Sequence, residues 1–141
     1  MAQAVMSRML FDASRALDVE LAEALEDRGA TELTPTQARA LLLVDRAGTR
    51  LTELATRAGV TKQAMMQLVD ELQASGCVRR TPDPADARAK VVRLTARGLR
   101  QRALARQAVA SVEARVKRWL GLRRYEAFRA ILEELVEGEE E

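Results

Sequence analysis

Hydrophobic positions in residues 3–28 recur at helical spacing. Met6, Leu10, Ala13, Leu17, Leu21 and Ala24 are separated by acids and arginines, and Gly29 supplies a natural stop. The pattern predicts a helix about 39 Å long at about 1.5 Å per residue, more than its neighbours in one protomer would cover. A second helix is predicted from Thr34-Pro35-Thr36-Gln37. There Thr34 caps the free N–H groups, Pro35 fits the first helical position and Gln37 completes a capping box. Leu41, Leu42 and Val44 give it apolar surface, and Gly48 is expected to end it.

From Leu51 to Asp70 the chain reads LTELATRAGVTKQAMMQLVD. Leu54, Ala58, Val60, Met65 and Leu68 fall where two crossed helices must touch. Ala55 is small at the close crossing, and Gly59 lies at the turn, where a positive φ is needed. Thr61 caps the second helix of the pair, whose inward stripe is Met65, Leu68, Val69 and Leu72, and Gly76 closes it. The opposite face presents Thr61, Lys62, Gln63, Met66 and Gln67 near the end that enters a major groove in a helix-turn-helix. Gln pairs with adenine edges, Lys with guanine, and Thr or Met meets a thymine methyl. Asp70 lies further along the same side.

After Gly76 the period shortens to that of strands. Residues 77–81 and 90–94 are Val- and Arg-bearing runs, and Pro82 to Ala89 between them is a turn that cannot be helical. A hairpin directly after a recognition helix is a wing. Arg80, Arg88 and Lys90 help make it basic, and Arg88 at the tip suits a narrow minor groove, where negative potential concentrates. Thr95 then caps a long helix running to about Leu120, Gly121 breaks it, and a last helix places Leu122, Tyr125, Phe128, Leu132 and Leu135 on one face. Glu137 to Glu141 form an acidic tail expected to fray.

These elements predict a mainly α fold with a small β-hairpin wing. A winged helix-turn-helix spans residues 34–95, a dimerisation helix precedes it in residues 1–33, and further dimerisation helices follow in residues 96–141. Two apolar-striped segments outside the winged part predict packing between copies around a two-fold axis, with Met6, Leu10, Leu17, Phe128, Leu132 and Leu135 in the dimer interface.

Charge sharpens the picture. The net charge of +2 divides into −3 over residues 1–49, +5 over 50–100, +6 over 101–124 and −6 over 125–141. A basic middle between acidic ends suits a polyanion. The absence of histidine removes the most versatile acid–base group and the commonest zinc ligand, and Cys77, the sole cysteine, excludes an intrachain disulfide. No nucleophile–base pair, ligand set or phosphate-binding glycine loop stands out. The chain is therefore read as no enzyme, with no cofactor and no metal. No stretch approaches the roughly 18 apolar residues of a membrane span. With Arg8 and Asp12 near the start there is also no export signal, which predicts a cytoplasmic protein.

Over nearly its whole length the chain resembles the MarR family of bacterial transcriptional regulators. The most specific segment is Asp83-Pro84-Ala85-Asp86-Ala87-Arg88 followed by Val92-Arg93-Leu94-Thr95-Ala96-Arg97-Gly98, which is similar to the family's D-x-R wing and Leu-Thr-x-x-Gly helix start. The resemblance implies that Asp86 orients Arg88, that Arg88 enters the minor groove, and that the terminal helices form the dimer interface. It implies double-stranded DNA with a palindromic operator as partner, and a repressor released by a phenolic, aromatic-anion or lipophilic effector. Phe11 and Arg15, one turn apart, are the candidate effector grip. A regulator without an effector and a winged-helix module that binds protein are the alternatives. The chain lacks the histidines of the family's zinc sensors and the first-helix cysteine of its peroxide sensors. Cys77 is read first as a small buried hydrophobe.

Overall fold

The capping box at the second helix forms as its sequence dictates. Thr34 Oγ1 accepts from the Gln37 N–H at 3.2 Å and Gln37 Oε1 accepts from the Thr34 N–H at 3.2 Å, with Pro35 at the first position. The computed structural model describes residues 3–138, so the remainder of the expected acidic tail, Glu139 to Glu141, lies outside the described residues. In chain order the elements are α1 (Met6–Asp27), α2 (Pro35–Leu43), β1 (Thr49–Arg50), α3 (Leu51–Ala58), α4 (Lys62–Ala74), β2 (Val78–Pro82), β3 (Lys90–Leu94), α5 (Ala96–Leu120) and α6 (Leu122–Glu137). None of these helices is long and apolar enough to cross a membrane.

Two expectations about the bounds of the elements change. Helix α2 stops at Leu43, well before Gly48, because Val44 turns to extended backbone. Three arginines from distant elements receive the carbonyls of the turn that follows. Arg57 donates to Leu43 O at 2.9 Å, Arg102 to Val44 O at 2.6 Å and Arg93 to Ala47 O at 2.6 Å. These satisfy oxygens that a continuing helix would have bonded itself. The wing is also more than a hairpin. Thr49 and Arg50 pair with Val92 and Val91, giving an antiparallel sheet in the order β1-β3-β2. Across β2–β3, Val78 faces Leu94 and Pro82 faces Lys90.

The crossing of α3 and α4 turns on Gly59, whose φ of 66° is left-handed. There the N–H groups of Val60 and Gly59 return to Ala55 O and Thr56 O, which closes α3. Leu54, Ala55, Met65, Val69 and Leu72 are buried as the pattern requires. Leu68 and Ala58 are half-buried, and Val60 is exposed, so the turn keeps that side chain outside the crossing. The same core takes in Leu21, Ala24 and Leu25 from the second half of α1, and Ala105 and Ala108 from α5.

Helix α5 leaves the wing at a close backbone approach. Gly98 is buried, and a Cβ there would run into the carbonyl of Cys77. Thr95 completes the joint. Its hydroxyl accepts from the Gly98 N–H and donates to Gly76 O, and its N–H reaches Cys77 O at 3.0 Å. Cys77 lies beneath this joint, 1% exposed, which fits the small hydrophobe and withholds the thiol from solvent.

The wing loop is pinned from the opposite side. Arg50 Nε donates to Asp83 Oδ2 at 2.5 Å, while Asp83 Oδ1 accepts from the Ala85 N–H at 2.8 Å. The Ala85 N–H, followed by Arg50, holds the Asp83 carboxyl below its ordinary pKa against the opposing effect of burial. A depressed folded-state pKa contributes stability above the unfolded value, about 3.9, which is lost as pH falls through the lower folded value. Amide exchange at Ala85 and Asp86 should therefore remain protected from neutral pH to below about pH 4 and lose protection only as the Asp83 carboxylate itself becomes protonated. Asp83→Asn should show the unprotected pattern at neutral pH, and wing protection in that variant equal to that of the unaltered protein would rule the anchor out.

Candidate nucleic-acid interface

Helix α4 is oriented by what it buries. Met65, Val69 and Leu72 face the core, so Thr61, Lys62, Gln63, Met66 and Gln67 lie exposed on the opposite side. The Thr61 hydroxyl accepts from the Ala64 N–H at 3.1 Å, which caps the end carrying this row. The free N-terminal dipole of α4 adds partial positive charge beside Lys62.

The wing tip is a hydrogen-bonded loop. Asp83 N–H donates to Ala89 O, Ala89 N–H to Asp86 O, and Arg88 N–H to Asp86 Oδ1 at 3.0 Å. The Asp86 carboxylate thus reaches the backbone of Arg88, and its effect on Arg88 runs through the loop rather than through a guanidinium pair. Arg88 and Lys90 are exposed. Of Arg50 and Asp83, which hold this loop to β1, the sequence marks only Asp83, as the first residue of the wing segment and without this role. The Asp83-Pro84 pair at the start of a turn is the signal for an Asx-type turn, but its partner 33 residues earlier carries no local mark.

Arg80, expected as a wing contact to DNA, is folded back and less exposed than Arg88 and Lys90. Its guanidinium lies along α4, donating to Asp70 Oδ1 at 2.5 Å, to Gln73 Oε1 at 2.9 Å and to Met66 O at 3.3 Å. Those three acceptors form one stripe of the helix at i, i+4 and i+7, and the side chain is only 23% exposed.

The arms present apolar surface of their own. No residue of α6 is buried, and Met6, Leu10, Leu17, Phe128 and Leu135 are exposed while Leu132 is half-buried. Between α1, α5 and α6 lies an open cleft of about 770 Å³ lined by Leu17, Val116, Trp119, Phe128 and Ile131, with Glu20, Arg115 and Arg124 also contributing. Phe11 and Arg15 do not line it. They stack on each other, the guanidinium carbon 5.9 Å from the ring centroid, as a solvent-facing cation–π pair. Among the described residues no three potential metal-ligating side chains converge.

A family model described as MarR family matches residues 31–89, which covers α2 to the wing loop. No curated protein matches the chain. Among solved structures, a transcriptional repressor, CouR, bound to a 23-mer DNA duplex is 27% identical. The match covers 94% of this chain and 92% of that one, with a TM-score of 0.82. A MarR-family transcriptional regulator from Rhodococcus sp. RHA1 is 26% identical over 95% and 96% of the two chains, at 0.75. The S. aureus MepR–DNA complex shares the fold at 0.83 with 18% identity, covering 96% and 98%. An exposed polar row on a capped helix and a pinned basic wing lie within the segment that matches the MarR family, and nearly the whole chain is similar in fold to winged-helix transcription regulators.

Proposed function

We propose that the protein is a sequence-specific double-stranded DNA-binding repressor that works as a homodimer on a palindromic operator in the cytoplasm. The observation that carries this reading is the exposed row Thr61, Lys62, Gln63, Met66 and Gln67 at the capped end of α4, flanked by Arg88 and Lys90 on a fixed wing. Similarity to CouR, described as a repressor and bound to a duplex, supports it. Gln63 and its neighbours read base edges in the major groove, and Arg88 carries charge into the minor groove. Asp86 shapes the loop that presents Arg88.

A second copy of this chain is the cover for the apolar arms. The exposed Met6, Leu10, Leu17, Phe128 and Leu135 on two helices, too many for a solvated face, support that choice. Two copies related by a two-fold axis set two recognition helices about one DNA turn apart, so half-sites about 10 bp apart follow. For an effector, the cleft between α1, α5 and α6 is a better seat than the Phe11–Arg15 pair. Its apolar walls suit a lipophilic or aromatic body, and Arg115 or Arg124 suits a carboxylate.

Three measurements follow. Gln63→Ala should lose about 1–3 kcal/mol on the preferred site and flatten selectivity at one base pair per half-site, with non-specific binding nearly unchanged. Arg88→Ala should weaken specific and random duplexes alike and lower the slope of log K against log salt by about one per subunit. Fluorescence anisotropy at several salt concentrations reads both, and an unchanged slope for Arg88→Ala would reject its role. In sedimentation equilibrium the protein should be a dimer at micromolar concentration and Leu10→Glu with Leu135→Glu a monomer; a monomeric unaltered protein would remove the two-fold model. Phenolic and benzoic acids should raise the melting temperature and release DNA about 5- to 150-fold, the range of typical allosteric coupling. Failure of the whole set on both counts would favour a repressor without an effector.

A further inference from the structure

We propose that Arg80 and Asp70 form a positioning pair that sets the wing against the recognition helix and thereby determines sequence selectivity; this rests on the DNA-binding reading above. The pair joins two elements that would touch different grooves. Arg80 stands on β2, one of the two edge strands of the sheet, while Asp70, Gln73 and the carbonyl of Met66 belong to α4. Met66 is itself in the exposed row, and Asp70 follows Gln63 by two turns on the same side.

The geometry gives the pair two effects. The first is mechanical. A five-residue strand spans about 17 Å, so a swing of about 10° at the wing root would carry the tip some 3 Å. That exceeds the tolerance of a hydrogen bond, so a wing that swings free of α4 can hold a phosphate but cannot keep register with base edges. A guanidinium spread over three acceptors resists such a swing better than a single ion pair, because its donors are fixed in one plane.

The second effect is electrostatic. Asp70 is 66% exposed on the side of α4 that carries Gln63 and Met66, and a bare carboxylate there would repel a phosphate backbone. Arg80 cancels that charge without itself facing outward. An exposed ion pair of this kind adds little to fold stability, so any selective advantage must be sought in DNA binding rather than in melting temperature.

The test is a double-mutant cycle on the full-length protein with Arg80→Ala, Asp70→Ala and the double variant, together with Arg80→Lys. Each is titrated by anisotropy against the duplex that the unaltered protein selects from a random pool, and against an unselected 30-bp duplex at several salt concentrations. Melting temperatures are taken alongside. Arg80→Ala should weaken the selected duplex about tenfold and the unselected one about twofold or less, with the salt slope unchanged. Asp70→Ala should lower selectivity in the unaltered protein and cost little or nothing further in the Arg80→Ala background. Arg80→Lys should keep non-specific affinity and lose selectivity, because an ammonium cannot span the three acceptors.

Additive effects in the cycle would overturn the pair. So would a salt slope lowered by about 0.9 per subunit, which would make Arg80 a phosphate contact. Affinity that falls in step with melting temperature would reduce it to fold support. Absence of salt-dependent duplex binding by the unaltered protein would instead sink the DNA-binding reading, and the pair's role with it.

Discussion

The backbone of α5 rests against the carbonyl of Cys77 because residue 98 has no side chain, and much of the molecule's geometry descends from that contact. Thr95 bonds both strands of the approach, joining the end of the wing to the turn that closes α4. The wing root, the recognition helix and the start of a helix about 37 Å long thus meet within a few residues. Any rotation of the long helix about that joint is imposed on the winged part, since close-packed interiors shift between discrete arrangements rather than deform smoothly. The Leu-Thr-x-x-Gly pattern is therefore a mechanical specification. Leu94 ends the strand, Thr95 caps the helix and ties it down, and Gly98 provides the clearance.

Arginine serves two separable purposes. One set works inside the fold: Arg57, Arg93 and Arg102 hold the turn after α2, and Arg50 and Arg80 hold the wing at its tip and at its root. Burial lowers the pKa of Arg102, and the like charges of Arg106 and Arg46 lower it further, so that residue serves the fold at an electrostatic cost. Lys62, Arg88 and Lys90 remain exposed, with no salt bridge among the described residues. A count of basic residues overstates the surface available to a polyanion, because half the wing's positive charge is already spoken for by acids and carbonyls.

Local signals in the sequence proved reliable where the physics is local. The capping box at Thr34, the left-handed turn at Gly59, the cap at Thr61 and the inward stripe of Met65, Val69 and Leu72 are each set within a few residues of the chain, and each formed as its pattern implies. What stayed hidden depends on partners distant in sequence. The early end of α2 relies on arginines 14, 46 and 58 residues away. A two-residue strand such as Thr49–Arg50 has no periodicity to detect and exists only because β3 lies beside it. The wing's basic residues looked equivalent as letters, and only packing separates Arg80, folded back on α4, from Arg88 at the tip. The Phe11–Arg15 spacing likewise marks two side chains that meet on the helix, but carries no sign of the cleft beside them, whose walls come from three helices.

Helix α6 buries none of its residues within its own protomer. A 16-residue helix is marginal alone in water, so most of the free energy that orders it must come from elsewhere. With a second copy as the source, folding of this arm and recognition between chains become one event. The two-headed form then accumulates, at low abundance, with the square of the chain's concentration rather than in proportion to it. Occupancy of a site read by both heads would respond steeply to how much protein the cell makes, a threshold that arises from an unfinished helix rather than from the part of the molecule that meets DNA.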